Sequence, residues 1–129
     1  MEYLLNVSGA DREFYGDYLI LLEGVIVEFL SCLDMIRRYQ VSQGHRDPIA
    51  SFQTRIKSAA SMKEKLERQN LPVTADSAVR DVWDAAGVRM ICPFVQNIDQ
   101  TVELIRAIPG VQILTEKDYI RNPKPKLIC

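Results

Sequence analysis

Residues 17–40 carry the feature that most constrains the fold. Leu19, Leu22, Ile26, Phe29, Leu33 and Ile36 recur at three- and four-residue intervals, the period of one face of an α-helix. Glu23, Glu28, Asp34, Arg37 and Arg38 lie mostly elsewhere around that helix. One long helix with one apolar stripe needs a second layer to cover the stripe. The chain must therefore supply other elements after Gln43-Gly44-His45-Arg46-Asp47-Pro48, a polar connector whose proline requires the helix to have stopped.

The remaining sequence supplies them. Residues 52–57 are predicted to form a strand. Ser61-Met62-Lys63-Glu64 has the Ser-x-x-Glu pattern of a capping box and opens a helix predicted to reach Gln69. Asn70-Leu71-Pro72 breaks it, and a further helix is predicted over residues 76–85. Gly87-Val88-Arg89-Met90-Ile91-Cys92 is an apolar run closed by Pro93 and reads as a central strand. Asn97 or Asp99 is the expected cap of a helix over residues 98–107, with Val102, Ile105 and Ile108 facing inward. Pro109-Gly110 turns the chain into a strand predicted over residues 111–114. The second half thus reads β–α–β and the whole chain α/β. Neither an internal repeat nor a low-complexity segment interrupts it.

Length and composition remove several classes. With 129 residues the chain is one domain. Its 47% hydrophobic and 26% charged residues are those of a soluble globular protein, which argues against disorder, collagen and coiled coil. Sixteen basic and 17 acidic residues give a net charge of −1, so binding to nucleic acid through bulk positive charge is not expected. Clustered cations remain possible within that balance. Cys32, Cys92 and Cys129 form no Cys-x-x-Cys pair, which argues against a zinc ribbon, and free thiols suit a reducing cytoplasm. Residues 1–10 lack the form of a signal peptide, and Glu23 and Glu28 interrupt the most apolar stretch too often for a membrane span. The single histidine, His45, excludes paired-histidine metal sites and is expected to be exposed.

Three places can carry chemistry. Arg55 and Lys57 flank Ile56, and strand alternation puts both cations on one face. Ser61 and Lys65 share a face of the following helix, whose N-terminus also favours anions. Together these groups suit a polyphosphate, although a solvated strand face running into a capped helix fits the same residues. Asp84 lies at the mouth of the apolar strand, next to the small residues Ala85, Ala86 and Gly87. It is placed to hold Mg²⁺, with Asp81 one helical turn earlier. Arg89 inside that strand needs a partner, either Asp84 in a structural ion pair or a substrate phosphate. Residues 117–124, Lys-Asp-Tyr-Ile-Arg-Asn-Pro-Lys, form a cationic segment able to close over phosphates or simply to lie in solvent. No G-x-G-x-x-G or Walker A loop is present.

Taken in order, Arg55-Ile56-Lys57-Ser58-Ala59-Ala60-Ser61 running on to Lys65-Leu66, then Asp84-Ala85-Ala86-Gly87-Val88-Arg89, then residues 117–124, closely resemble the RelA/SpoT-type (p)ppGpp synthetases. The resemblance covers residues 17–125, and the absence of a hydrolase region is similar to the small, synthetase-only branch. It implies GTP pyrophosphokinase activity in the stringent response: transfer of the β,γ-pyrophosphate of ATP to the 3′-hydroxyl of GTP or GDP, with Mg²⁺. By the same resemblance Arg55 and Lys57 match ATP-binding cations, and Ser61 and Lys65 match residues supporting the ATP site. Asp84 matches the Mg²⁺-binding aspartate. Arg89, Lys117 and Lys124 match phosphate or acceptor-side positions. The implied fold is a nucleotidyltransferase-like mixed sheet flanked by helices, with a helical part over residues 1–45 and a catalytic-core part over 50–125 of one domain.

The family's pattern continues after Asn-Pro-Lys with Gly-Tyr-x-Ser-x-His, whose tyrosine stacks on guanine, and later with a metal-assisting glutamate. Here Lys124 is followed by Pro125-Lys126-Leu127-Ile128-Cys129. The chain is therefore expected to be a C-terminally truncated synthetase domain, inactive alone. ATP and GTP or GDP are the expected ligands, with neither nucleic acid nor membrane as partner. It is expected to be cytoplasmic and to self-associate through an exposed sheet edge or its helices. Two other readings stay open: a non-catalytic ATP-binding or regulatory remnant, and a ferredoxin-like small-molecule-binding module.

Overall fold

The computed structural model describes residues 7–123. In chain order it contains α1 (Gly9–Tyr15), α2 (Tyr18–Ser42), β1 (Ser51–Ile56), α3 (Ala59–Arg68), α4 (Ala75–Arg80), β2 (Ala86–Ile91) and α5 (Val95–Arg106). The long helix forms over nearly the expected span, and Leu19, Leu22, Ile26 and Leu33 of its stripe are buried. Gly44, with φ 90°, follows the end of α2 and takes the left-handed conformation that a helix terminus often needs. None of the helices described is long and apolar enough to cross a membrane.

Two apolar clusters are threaded on α2. The first joins Tyr15, Leu19 and Leu22 to Met62 and Leu66 of α3, to Ala78 of α4, and to Val82 and Ala85. The second joins Leu33 to Ile49 and Ile108, with Phe29, Ile36, Met90, Leu104 and Ile105 packed against it. Ile26, also buried, lies between them along the helix.

β1 and β2 pair antiparallel, with Ser51 opposite Ile91, Gln53 opposite Arg89, Arg55 opposite Gly87 and Ile56 opposite Ala86. Residues directly opposite one another share a face. Ile56 and Ala86 face the first cluster and Met90 the second. Gln53, Arg55, Gly87 and Arg89 therefore face the other way.

Several expectations are corrected. The sheet has two strands among the described residues, so β2 is not central. The strand expected over residues 111–114 does not form; the segment is irregular, with Ile113 and Leu114 exposed, because no strand among the described residues pairs with it. α3 starts before Ser61. Ser58 is its cap and its hydroxyl accepts the Ser61 N–H at 3.2 Å. α4 stops at Arg80, well short of residue 85. α5 starts at Val95, and Asn97, three residues in, accepts the Phe94 N–H through Oδ1 at 3.1 Å.

Candidate functional site

The turn from β1 into α3 and the turn from α4 into β2 lie side by side, since the Lys57 N–H donates to the Ala85 carbonyl at 2.7 Å. This pairing brings three charged side chains together. Lys57 Nζ lies 3.2 Å and Lys65 Nζ 2.8 Å from the same oxygen, Oδ2 of Asp84. Lys57 reaches it from the end of β1, and Lys65 from the second turn of α3. The other oxygen, Asp84 Oδ1, is buried with no hydrogen-bond partner among the described residues. Burial works against the charged carboxylate. Hydrogen bonds from Lys65 and Lys57 outweigh it and hold Asp84 below the ordinary carboxylate value. The centre is thus two cations sharing one ionised carboxylate, with one oxygen left over.

Beside it lies the outward face of the sheet. Gln53, Arg55, Gly87 and Arg89, with the adjoining Thr54 and Val88, line a recess of ≈ 400 Å³. Arg55 crosses over Gly87, where a methyl group would meet the arginine Cγ at 3.7 Å. Neither Arg55 nor Arg89 makes an ion pair among the described residues, and both are exposed. Two guanidinium groups on one open face, with no carboxylate among the described residues paired to them, form a local anion-attracting surface on a chain of net charge −1.

This arrangement answers the ambiguity over Arg89. Asp84 is engaged by the two lysines, so the Asp84–Arg89 pair does not form. Arg89 also needs no buried partner, because a two-stranded sheet leaves its side exposed. Asp81 does not turn toward Asp84 either. Its Oδ2 accepts the Ser77 hydroxyl at 3.0 Å instead. The N-terminus of α3 is less open to an outside anion than the sequence suggests. Asp11 Oδ1 accepts the Ala59 N–H at 2.7 Å, and Ser58 takes the Ser61 N–H. Ser61 is exposed on the first turn, and the Ser58 hydroxyl donates to its oxygen at 3.0 Å.

Lys117 is not part of this centre. It lies exposed on the segment after α5, against a smaller recess lined by Val95, Ile98 and Asp99 of that helix. The segment is tied back by Arg121, which the sequence reading did not single out. Its guanidinium meets Asp99 at 2.8 Å and Asp118 at 2.6 Å. Lys124 lies outside the described residues. His45 is exposed, as expected. The sequence reading also passed over Asp11 and Tyr15 of α1. They reach residues 57–59 across more than 40 positions of chain, and only the local Ser8-Gly9-Ala10-Asp11 cap pattern marks one of them.

Comparison with known proteins bears on the same residues. A family model described as a region found in RelA / SpoT proteins matches residues 54–128. The GTP pyrophosphokinase YwaC of Bacillus subtilis is 35% identical over 89 residues, covering 69% of this chain and 42% of the relative. The GTP pyrophosphokinase YjbM of the same organism is 27% identical over 114 residues, covering 88% of this chain and 53% of the relative. The chain therefore spans about half the length of these curated relatives. Among solved structures, small alarmone synthetase 1 from Bacillus subtilis bound to its product pppGpp matches with a TM-score of 0.69 at 27% identity, over 83% of this chain and 54% of that one. A GTP pyrophosphokinase family protein from Streptococcus pneumoniae matches with a TM-score of 0.67 at 26% identity, over 92% of this chain and 55% of that one.

Proposed function

The chain belongs to the RelA/SpoT family, and from that premise we propose that it carries the ATP side of a GTP pyrophosphokinase site, for transfer of the β,γ-pyrophosphate of ATP to the 3′-hydroxyl of GTP or GDP. One observation carries the reading: the Lys57–Asp84–Lys65 centre opens beside a sheet face on which, among the described residues, Arg55 and Arg89 have no acidic partner. Four cations gathered around a single carboxylate are in excess of their counter-charge, which suits a polyphosphate. In this transfer the acceptor hydroxyl gives up its proton to solvent and its oxygen bonds to the β-phosphorus, the bond from that phosphorus to the α,β-bridging oxygen breaks, and AMP leaves with the bridging oxygen. Such chemistry asks the protein for positioning and charge neutralisation more than for a nucleophile. Arg55 and Lys57 would orient the phosphates, Lys65 would hold Asp84 ionised and in place, and Ser61 would offer a hydroxyl at the edge of the site. Arg89, Lys117 and Lys124 belong to the phosphate and acceptor side of the same reading.

The residues present fit Mg²⁺ of one kind. Asp84 Oδ1 is a buried carboxylate oxygen without a partner. Among the described residues no three His, Cys, Asp or Glu side chains cluster to cage an ion. A single carboxylate, with phosphate oxygens and water completing an octahedron, is a common way to bind this ion. When bound, Mg²⁺ supplies neutralisation of phosphate charge. The proposed location is the cytoplasm, in keeping with the free thiols of Cys32 and Cys92. Copies of the chain would meet through the outer side of α2, where Leu21, Val25, Met35 and Tyr39 are exposed.

Thermal unfolding with a non-hydrolysable ATP analogue tests the donor site. At a ligand concentration about 100 times Kd, binding adds about 2.7 kcal/mol of stability. We expect a shift with analogue and Mg²⁺, and a smaller one after chelation. Arg55→Ala should weaken binding about tenfold or more while leaving the ligand-free melting temperature unchanged, since a charge-assisted contact contributes about 1.5–3 kcal/mol. No shift in the unsubstituted chain would overturn the proposal. Turnover of ATP with GTP then separates an enzyme from a binding remnant.

A further inference from the structure

The proposed site leaves two buried titratable side chains unused, both on the short helix α1. Asp11 is 9% exposed and Tyr15 is 1% exposed. Tyr15 fills the first apolar cluster, yet its hydroxyl leaves that cluster to donate to the Lys57 carbonyl at 2.5 Å. Burial, with the nearby Asp11 and Asp84 charges, pushes its ionisation up to about 12, so it remains a donor throughout the neutral range. Asp11 Oδ1 accepts the Ala59 N–H at 2.7 Å in buried surroundings, and its other oxygen accepts the Ser8 N–H at 3.4 Å, which locks the start of α1.

These bonds grip the turn on both sides of Ser58. Lys57 is held at its carbonyl by Tyr15 and at its N–H by the Ala85 carbonyl. Ala59 is held at its N–H by Asp11. A lysine side chain is long and mobile, so where its ammonium rests depends on where its backbone is fixed. A carbonyl–hydroxyl bond to a rigid aromatic ring fixes it more firmly than packing alone, because the bond is directional.

We propose that Asp11 and Tyr15 are positioning residues of the nucleotide site: they clamp residues 57–59 so that Lys57 meets Asp84 before any ligand arrives. The role as part of a nucleotide site rests on the function proposed above, whereas the clamp itself does not. Neither residue touches ligand in this scheme. Their effect travels through the backbone of Lys57 and Ala59.

The test compares the full chain with Tyr15→Phe, which keeps the ring and removes the hydroxyl. Without nucleotide, brief modification by an amine-acylating reagent is mapped by mass spectrometry, with exposed Lys117 as the internal standard. Lys57 should react about three- to tenfold faster in Tyr15→Phe, the range expected when one hydrogen bond of modest net strength is lost. Lys117 should not change. Leu22→Ala, in the same cluster, controls for destabilisation: it should lower the melting temperature without singling out Lys57. Asp11→Ala should raise Lys57 reactivity as well, and Asp11→Asn, which keeps a carbonyl acceptor, should restore most of the protection. This pair carries the test if Tyr15→Phe does not fold. With nucleotide, affinity for the ATP analogue should fall about tenfold in Tyr15→Phe at a temperature where both proteins are folded. Unchanged Lys57 reactivity in folded Tyr15→Phe, or in Asp11→Ala, overturns the clamp. Failure of the unsubstituted chain to bind the analogue, with Lys57 still responding, overturns the nucleotide reading and leaves the clamp standing.

Discussion

Arg37 holds two residues at once. Its Nε donates to Asp47 Oδ1 at 3.0 Å and its Nη2 to Asp47 Oδ2 at 2.5 Å, while the guanidinium carbon sits 5.7 Å from the centre of the Phe52 ring. The polar connector after α2 is thereby pinned to the helix that precedes it and to the strand that follows. The hydrogen bond from Arg37 is the main cause that lowers the Asp47 ionisation, against a smaller opposing effect of burial. The sign follows directly. A carboxylate lowered in the folded state contributes stability above its unfolded value of about 3.9, and that contribution is lost as pH falls further. Thermal melts from neutral pH down to about pH 3 should show stability falling below about pH 4. Asp47→Asn should lower stability at neutral pH and flatten the acid limb; a limb unchanged in Asp47→Asn would remove Asp47 from the account. Little of this pairing was legible beforehand, because Arg37 reads as one more cation on a polar helix face. The motif residues were the opposite case. Arg55, Lys57, Lys65 and Asp84 were all picked out from the chain, yet their pairing was not. Asp84 was read as a Mg²⁺ ligand, with Arg89, five residues on, as one of two alternatives for an ion pair or a phosphate contact; it meets Lys57 and Lys65, 27 and 19 residues away. Spacing along the chain reports which residues share a face, not which faces the fold brings together.

At the level of elements, the start of α3 separates two serines that look alike in sequence. Ser58 accepts the Ser61 N–H and so satisfies one of the unpaired donors of the first turn. Ser61 caps nothing; among the described residues its oxygen meets only the Ser58 hydroxyl and its N–H is the group being capped. Ser58→Ala should therefore destabilise the fold by about 1 kcal/mol, the usual worth of a helix cap. Ser61→Ala should stay within about 0.5 kcal/mol, as exposed substitutions generally do. Urea unfolding of the two variants checks the difference, and equal losses would mean that Ser58 is not the effective cap. The Ser-x-x-Glu pattern was a fair signal for a helix start and placed it only a few residues late, since Ser58, three residues earlier, is the serine whose hydroxyl takes a first-turn N–H. The strand expected over residues 111–114 fails for a different reason. An apolar run becomes a strand only when another strand takes up its backbone groups, and among the described residues none does.

The arrangement of the whole molecule follows from the length of α2. The helix is long enough for its N-terminal half to pack on α3 and α4 and its C-terminal half to reach Ile49 and Ile108, so it serves two apolar clusters that share few other elements. The proposed nucleotide centre belongs to the first cluster. Lys65 follows Met62 and precedes Leu66 on α3, and Asp84 lies between Val82 and Ala85, all four of these neighbours being buried there. α5 and the far end of β2 belong to the second cluster. Emptying a core position costs about 2–5 kcal/mol, a large share of the roughly 5–15 kcal/mol that holds a domain together. Where that loss appears depends on whether the clusters open together. Because β2 gives Ala86 to one cluster and Met90 to the other, whereas α3 and α5 each serve a single cluster, the clusters should open in part separately. Amide hydrogen exchange can resolve this. Leu33→Ala should speed exchange in α5 and around Met90 before it does so in α3, and Met62→Ala should do the reverse, with α2 divided near Ile26. The ATP analogue should then slow exchange in α3 and leave α5 nearly unchanged, because the ligand is proposed to bind on the first cluster alone. Equal acceleration of α3 and α5 in both variants would show instead that α2 transmits the loss along its whole length, and that the molecule opens as one unit.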